Sequence, residues 1–277
     1  MKHSSERLTE CDDDLKRELF LYGRDLDCGN VADKYKSIYC ERSIASLEQA
    51  SSFCGQLSRA SYLIKYRICS ELFSWWIYEG QHSEWSAPHE RLATLTRTAT
   101  RSIKAQFEAM NAGVRGDVFI RKASIGDQLV NIYTYSREAY DRTMSRDGRL
   151  VAPSVLEVNN TKSNGLRGGC SYLYVVSPEL KLFACSKPMF DSQLISGLEY
   201  RGVAVKHPMI AQFSDLSVLC AGDFRLIKSN SGVVLGVFAT RASGHYRPGI
   251  DSSSALRVVF QAAFALGHRE RILVVGE

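Results

Sequence analysis

Six residues near the C-terminus gather side chains that can do chemistry: Ser243-Gly244-His245-Tyr246-Arg247-Pro248. A hydroxyl, an imidazole, a phenol and a guanidinium stand together, with a glycine for a tight turn and a proline to end it. The imidazole titrates near neutral pH and can serve as a base, and the guanidinium holds anions. The flanking residues fix where this set is displayed. Before it, Gly232-Val233-Val234-Leu235-Gly236-Val237-Phe238-Ala239-Thr240 reads as a buried strand. After it, Asp251-Ser252 offers a helix N-cap, and Leu256, Val259, Phe260, Ala263 and Phe264 recur at helical spacing. The segment therefore sits at a strand-to-helix junction, where a rigid scaffold can hold a loop open to a ligand. Two readings stand side by side: a ligand site, or a capping turn whose side chains satisfy backbone groups.

The elements that must position these residues can be read from composition and period. The chain has 277 residues and is 45% hydrophobic, enough for a proper core in one large or two small domains. There is no apolar run of the length that spans a bilayer, so no membrane span is expected. The first residues, Met1-Lys2-His3-Ser4-Ser5-Glu6, lack the apolar stretch of a classical signal peptide. Eight cysteines without a CxxC pair argue against a zinc site and fit reduced thiols; no metal and no cofactor are expected. The net charge of +5 is unevenly spread. Residues 1–50 carry eight basic against eleven acidic side chains, and the remainder 27 against 19. No basic cluster interleaved with aromatics occurs, so nucleic acid is not an expected partner.

Residues 1–20 are polar and read as a loose N-terminus with room for a secretion signal. Residues 21–110 read as a helical region. Its clearest helix covers 56–77, with Tyr62, Tyr66, Cys69, Leu72, Phe73 and Trp76 on one face and Arg59, Lys65 and Arg67 on the other. A basic amphipathic helix of this kind is either a bundle helix with a wet face or a calmodulin-type target. A further helix is expected over 91–110. Near Asn111-Ala112-Gly113 the apolar period changes to that of strands. Residues 111–277 then read as an α+β domain. Its strands are expected near 114–120, 129–135, 150–158, 171–176, 181–184, 224–228, 233–239 and 271–275, with a short helix from Arg137 to Met144 and a packing helix over 253–266. The fold class is α+β: helices first, then a mostly antiparallel twisted sheet.

The motif and its strand resemble the C-terminal block of the plant IQM-type calmodulin-binding proteins, which carry a glycine, a hydrophobic strand and then SGHY-x-P. The same passage occurs in C-terminal domains of bacterial secreted toxins and effectors. Further matches lie in the same order. Arg137-Glu138-Ala139-Tyr140 with Asp147-Gly148-Arg149-Leu150 resembles the family's "REAY…DGKL". Tyr172-Leu173-Tyr174-Val175-Val176-Ser177 with Leu180-Lys181-Leu182-Phe183 resembles its strand hairpin, Phe73-Ser74-Trp75-Trp76 its "FFYWL", and Ala221-Gly222 its "AAG". The family's "QHSSFL" has its nearest counterpart in Gln212-Phe213-Ser214-Asp215-Leu216, where the histidine has become Phe213. The resemblance covers roughly residues 137–275.

The resemblance implies a protein secreted by a bacterium without a classical signal peptide and acting on a host protein in the host cytoplasm. A related effector implies a Cys-His-Asp arrangement for hydrolysis or acyl transfer. In this chain Cys170, after Arg167-Gly168-Gly169, is then the nucleophile; His207 or His245 the base; Asp215 or Asp223 the orienting acid. Ser243, Tyr246 and Arg247 would bind substrate. Cys185 and Cys220 lie in apolar strands and read as core. The alternative is a non-catalytic module that binds a host protein such as calmodulin, with Trp75, Trp76 and the basic helix as contacts. A third reading is a transferase that uses an anionic nucleotide such as NAD, held by Tyr246 and Arg247.

Overall fold

The computed structural model describes scattered residues between 69 and 101, then residues 116–125, 127–146, 153–160, 165–168, 171–186, 205–229, 231–268 and 271–275. The chain divides into two compact units: Met1–Ile103 with Met189–Tyr200, and Lys104–Pro188 with Arg201–Glu277.

In the first unit Cys69, Ser70, Phe73, Ser74, Trp76 and Ile77 are helical, as are Ala93, Thr94, Thr96, Arg97, Thr100 and Arg101. Ala93, Thr96 and Thr100 are buried at helical spacing, and the Thr100 hydroxyl donates to the Thr96 carbonyl at 2.7 Å. Trp76 is half-buried; its ring meets Phe73 edge-on at 5.9 Å and lies 6.0 Å from the Arg97 guanidinium carbon. The remainder of the loose N-terminus and of the helical region expected over 21–110, Trp75 and Arg59, Lys65 and Arg67 included, lies outside the described residues.

The second unit is mixed α and β. In chain order its described elements are β1 (Val118–Ile125), β2 (Gln128–Tyr135), α1 (Arg137–Arg146), β3 (Leu156–Val158), β4 (Ser171–Val176), β5 (Leu182–Ser186) and α2 (His207–Ile210). A 3-10 turn (Ala211–Ser214) follows, then β6 (Ser217–Val218), β7 (Cys220–Lys228), β8 (Val234–Thr240), α3 (Ser252–Phe264) and β9 (Ile272–Val275). One sheet has the order β1-β2-β6 and the other β3-β5-β4-β7-β8-β9. Every pairing is antiparallel except β8 with β9, where α3 supplies the crossover that a parallel pair needs.

The larger sheet is buried on both faces, and the period of β4 shows how. Tyr172, Tyr174 and Val176 point into the cluster under α3, whereas Leu173 and Val175 point into the cluster formed with Val118, Tyr133, Tyr135 and Tyr246. Under α3 the rings of Tyr172 and Phe224 stack at 5.2 Å, and Phe260 meets both Phe224 and Tyr174 at 5.4 Å. Ser136 starts α1 by accepting the Ala139 N–H on its hydroxyl at 3.1 Å.

Several element boundaries differ from the expectation. The first strand is Val118–Ile125 instead of 114–120. Arg121 and Lys122 interrupt the apolar run, yet the ladder to β2 continues through them because their side chains face water. The strand expected over 150–158 is confined to Leu156–Val158; Pro153 has no N–H to give a ladder. The strand expected from Phe224 begins at Cys220 and runs through Gly222. Asp251 does not cap α3 with its carboxylate, which instead accepts from the Tyr133 hydroxyl at 3.4 Å.

Candidate functional site

The Ser243–Pro248 segment leaves the end of β8 as one tight turn. The Ser243 N–H donates to Arg241 O at 3.0 Å and the Arg247 N–H to Ser243 O at 2.9 Å. The Ser243 hydroxyl accepts the Tyr246 N–H at 3.2 Å. Arg247 takes a left-handed conformation, φ 47°, that closes the turn ahead of Pro248. Ser243 and Tyr246 are buried, and the Tyr246 phenol donates to Leu216 O at 3.1 Å. Burial pushes that phenol well above its ordinary range, and Tyr135 and Tyr140 push it the same way. The buried Arg241 donates to Pro248 O at 3.0 Å. Ser243 and Tyr246, expected to bind substrate, thus bond to each other within the turn and, through the phenol, to Leu216. His245 is half-buried, its ring edge-on to Tyr135 at 5.6 Å, and Arg247 is also half-buried.

Of the residues expected to form a Cys-His-Asp arrangement, His207 and Asp223 fall on one seam and Asp215 lies in an exposed turn. His207 opens α2, is buried, and its Nε2 lies 3.0 Å from Gly222 O. A carbonyl only accepts, so the proton sits on Nε2. Gly222 lies where β7 crosses the end of β8. A Cβ there would stand 2.0 Å from Thr240 O, which explains the glycine inside a strand. Asp223 is half-buried on β7, and its N–H donates to Thr240 Oγ1 at 3.4 Å. Asp215 closes the 3-10 turn at φ 50°; its carboxylate is 94% exposed and meets the Arg137 guanidinium at 3.2 Å. Cys170 lies outside the described residues.

One face does draw together side chains from distant motifs. Arg137 and Tyr140 are three residues apart on α1, and the guanidinium carbon lies 5.7 Å from the phenol ring. The Tyr140 hydroxyl accepts from Gln212 Nε2. Burial raises the Tyr140 pKa, and the Arg137 cation partly offsets this. Next to Gln212, Phe213 is 64% exposed and stacks on Phe183 at 5.6 Å. Tyr135 joins this group to the turn through His245 and Tyr246, 5.9 Å away, and its hydroxyl is 3.4 Å from Thr143 Oγ1. Leu216 O accepts both the Tyr135 N–H at 3.0 Å and the Tyr246 hydroxyl. Sequence reasoning did not name Arg137, Tyr140, Tyr135, Gln212 or Phe213 as site residues. For Arg137 and Tyr140 the signal was present, since their spacing alone places both on one helical face.

Two thiols are core, as their apolar strands suggest. Cys220 is fully enclosed, with Ser252 Oγ and Tyr174 Oη each 3.4 Å from its sulfur, and burial raises its pKa. Burial pushes the Cys185 thiol up to about 12. Neither carries thiolate at neutral pH. Among the described residues no group of three or more His, Cys, Asp or Glu side chains is placed to hold a metal ion. Nor is any described helix long and apolar enough to cross a membrane.

Comparison with protein-family models, with curated proteins and with solved structures finds no match. The resemblance described above therefore rests on its motifs and their order in the chain.

Proposed function

We propose that the chain is an effector-type protein of bacterial origin that works in a host cytosol by binding a host protein. Its binding surface is the face of Arg137, Tyr140, Gln212, Phe213 and His245. The observation that carries this reading is the division of labour among the motif residues. Ser243, Tyr246, His207 and Gly222 are spent on internal bonds and close packing. Arg137, Gln212 and Phe213, though in contact with Asp215, Tyr140 and Phe183, stay exposed and present a cation, an amide and an aromatic ring. Aromatic and arginine side chains at the centre of a patch are the usual anchors of protein recognition. A calmodulin-type partner is what the resemblance implies.

A second reading, a cysteine-dependent hydrolase or acyl transferase with Cys170 as its nucleophile, is what the resemblance implies.

Calmodulin binding with calcium and with chelator, host-cell toxicity and melting, measured on the same variants, separate the two. Arg137→Glu and His245→Ala should weaken calmodulin binding at least tenfold and abolish toxicity with melting within a few degrees of wild type, while Cys170→Ser keeps both. A Cys170→Ser protein that is folded but inert, beside an active His245→Ala, would establish the enzyme reading instead. A wild-type chain that ignores calmodulin in both conditions removes that partner.

A further inference from the structure

Among the described strands, β1 is an edge of the three-stranded sheet. β1 pairs with β2 over all eight of its residues, and no other described strand pairs with it. Which of its backbone groups face outward follows from the ladder. The Ser136 N–H donates to Asp117 O at 2.8 Å, so Asp117 and Ser136 form a hydrogen-bonded pair. Such pairs alternate along an antiparallel ladder. Residues 119, 121, 123 and 125 therefore bond β2, and Ile120, Lys122 and Ser124 turn their N–H and C=O groups outward. The same alternation appears on the far side of β2, where Tyr135 turns its N–H to Leu216.

The side chains along this edge have a definite chemistry. Phe119 is 65% exposed and Ile120 44%, and Arg121 and Lys122 follow, both exposed. Successive residues point to opposite faces. Each face of the edge thus offers one apolar side chain and then one cation: Phe119 and Arg121 on one, Ile120 and Lys122 on the other. Charges on an edge strand ordinarily keep it from pairing with a copy of itself. Here a second copy would set cations against cations, or cations against Phe119 and Ile120. A strand with the opposite order of charge meets no such penalty and satisfies the outward N–H and C=O groups.

We infer that the outer edge of β1 is a docking strand for an extended, acidic segment of a partner protein, added to the sheet by main-chain hydrogen bonds. Its antiparallel complement to Phe119-Ile120-Arg121-Lys122 reads acidic, acidic, apolar, apolar. Recognition of this kind takes affinity from the ladder and selectivity from the alternating side chains. It does not depend on the surface around His245, which belongs to other elements.

The test uses the full chain and a labelled octapeptide, Thr-Thr-Glu-Glu-Val-Val-Thr-Thr, against the same peptide with lysine for glutamate. The wild-type protein should bind the acidic peptide at least tenfold more tightly. Ser124→Pro removes an outward N–H without changing charge, and proline is tolerated where an edge N–H faces solvent. It should weaken binding at least tenfold while far-ultraviolet circular dichroism stays unchanged. The double variant Arg121→Glu, Lys122→Glu keeps the ladder and should reverse the preference to the lysine peptide. Equal binding of the two peptides, or binding indifferent to both variants, overturns the inference. Two further outcomes overturn it: concentration-dependent self-association that Ser124→Pro abolishes, which makes the occupant a second copy, and binding only to anionic vesicles.

Discussion

Two regions of the second unit use motif residues in opposite ways. At the inner seam His207, Gly222, Thr240 and Asp223 meet where β7 crosses the end of β8. The imidazole proton goes to Gly222 O, the Asp223 N–H goes to Thr240 Oγ1, and a glycine leaves room for the Thr240 carbonyl. At the outer face Arg137, Gln212 and Phe213 are exposed and reach Asp215, Tyr140 and Phe183, while the half-buried His245 sits edge-on to Tyr135. Both regions contain a histidine that sequence alone offers as a catalytic base. The difference teaches that a motif histidine can serve the fold: the His207 imidazole ties the start of α2 to β7, whereas the His245 ring packs edge-on against Tyr135.

The comparison breaks most readily at the seam. Gly222→Ala would place a methyl 2.0 Å from a backbone oxygen of the neighbouring strand, which cannot swing aside as a side-chain tip does. We expect loss of folding, or a cost of about 4 kcal/mol or more, read from chemical denaturation. A normally stable Gly222→Ala protein would show that β7 and β8 can separate there. His207→Ala comes next. It leaves Gly222 O buried without this donor and should cost about 1–3 kcal/mol; His207→Gln, which can still donate, should recover part of it. An unchanged denaturation midpoint would place His207 with the outer face.

Cys185 sharpens the contrast from beneath the outer face, where it shares a cluster with Phe183 and Tyr246. Burial holds its pKa near 12 against an ordinary 9.0. A raised folded-state value means stability that is fully present below pH 9 and is lost as the pH climbs toward 12. Cys185→Ala should therefore lose less stability than wild type between pH 9 and 12, and the wild-type thiol should resist alkylation at pH 8 until the protein unfolds. Rapid alkylation at pH 8 would mean that the face is open to reagents.

The smallest effect belongs to the exposed pair of Arg137 and Asp215, whose side chains are 58% and 94% exposed. Asp215→Asn should shift stability by no more than about 0.5 kcal/mol. A larger loss would mean that the outer face is mechanically coupled to the core.

Much of this follows from local pattern. The continuous apolar run of β8, the helical spacing from Leu256 to Phe264 and the alternation of β4 are readable because burial imposes a period on the residue types. Strand edges are less readable. Arg121 and Lys122 look like the end of a strand only when the strand is assumed to be covered, and Gly222 looks like a break until Thr240 is placed beside it.

The residue types in the motif, its place between a buried strand and a helix, and the core thiols were fixed along the chain, since each depends on neighbours within a few residues. Which histidine bonds a strand's backbone and which packs against a tyrosine ring was decided in three dimensions. His207 and Gly222 are fifteen residues apart in hydrogen-bonding terms, and Tyr246 and Leu216 thirty. No local period encodes such pairs, because they form only when separate strands are brought into register and their buried polar groups must find partners.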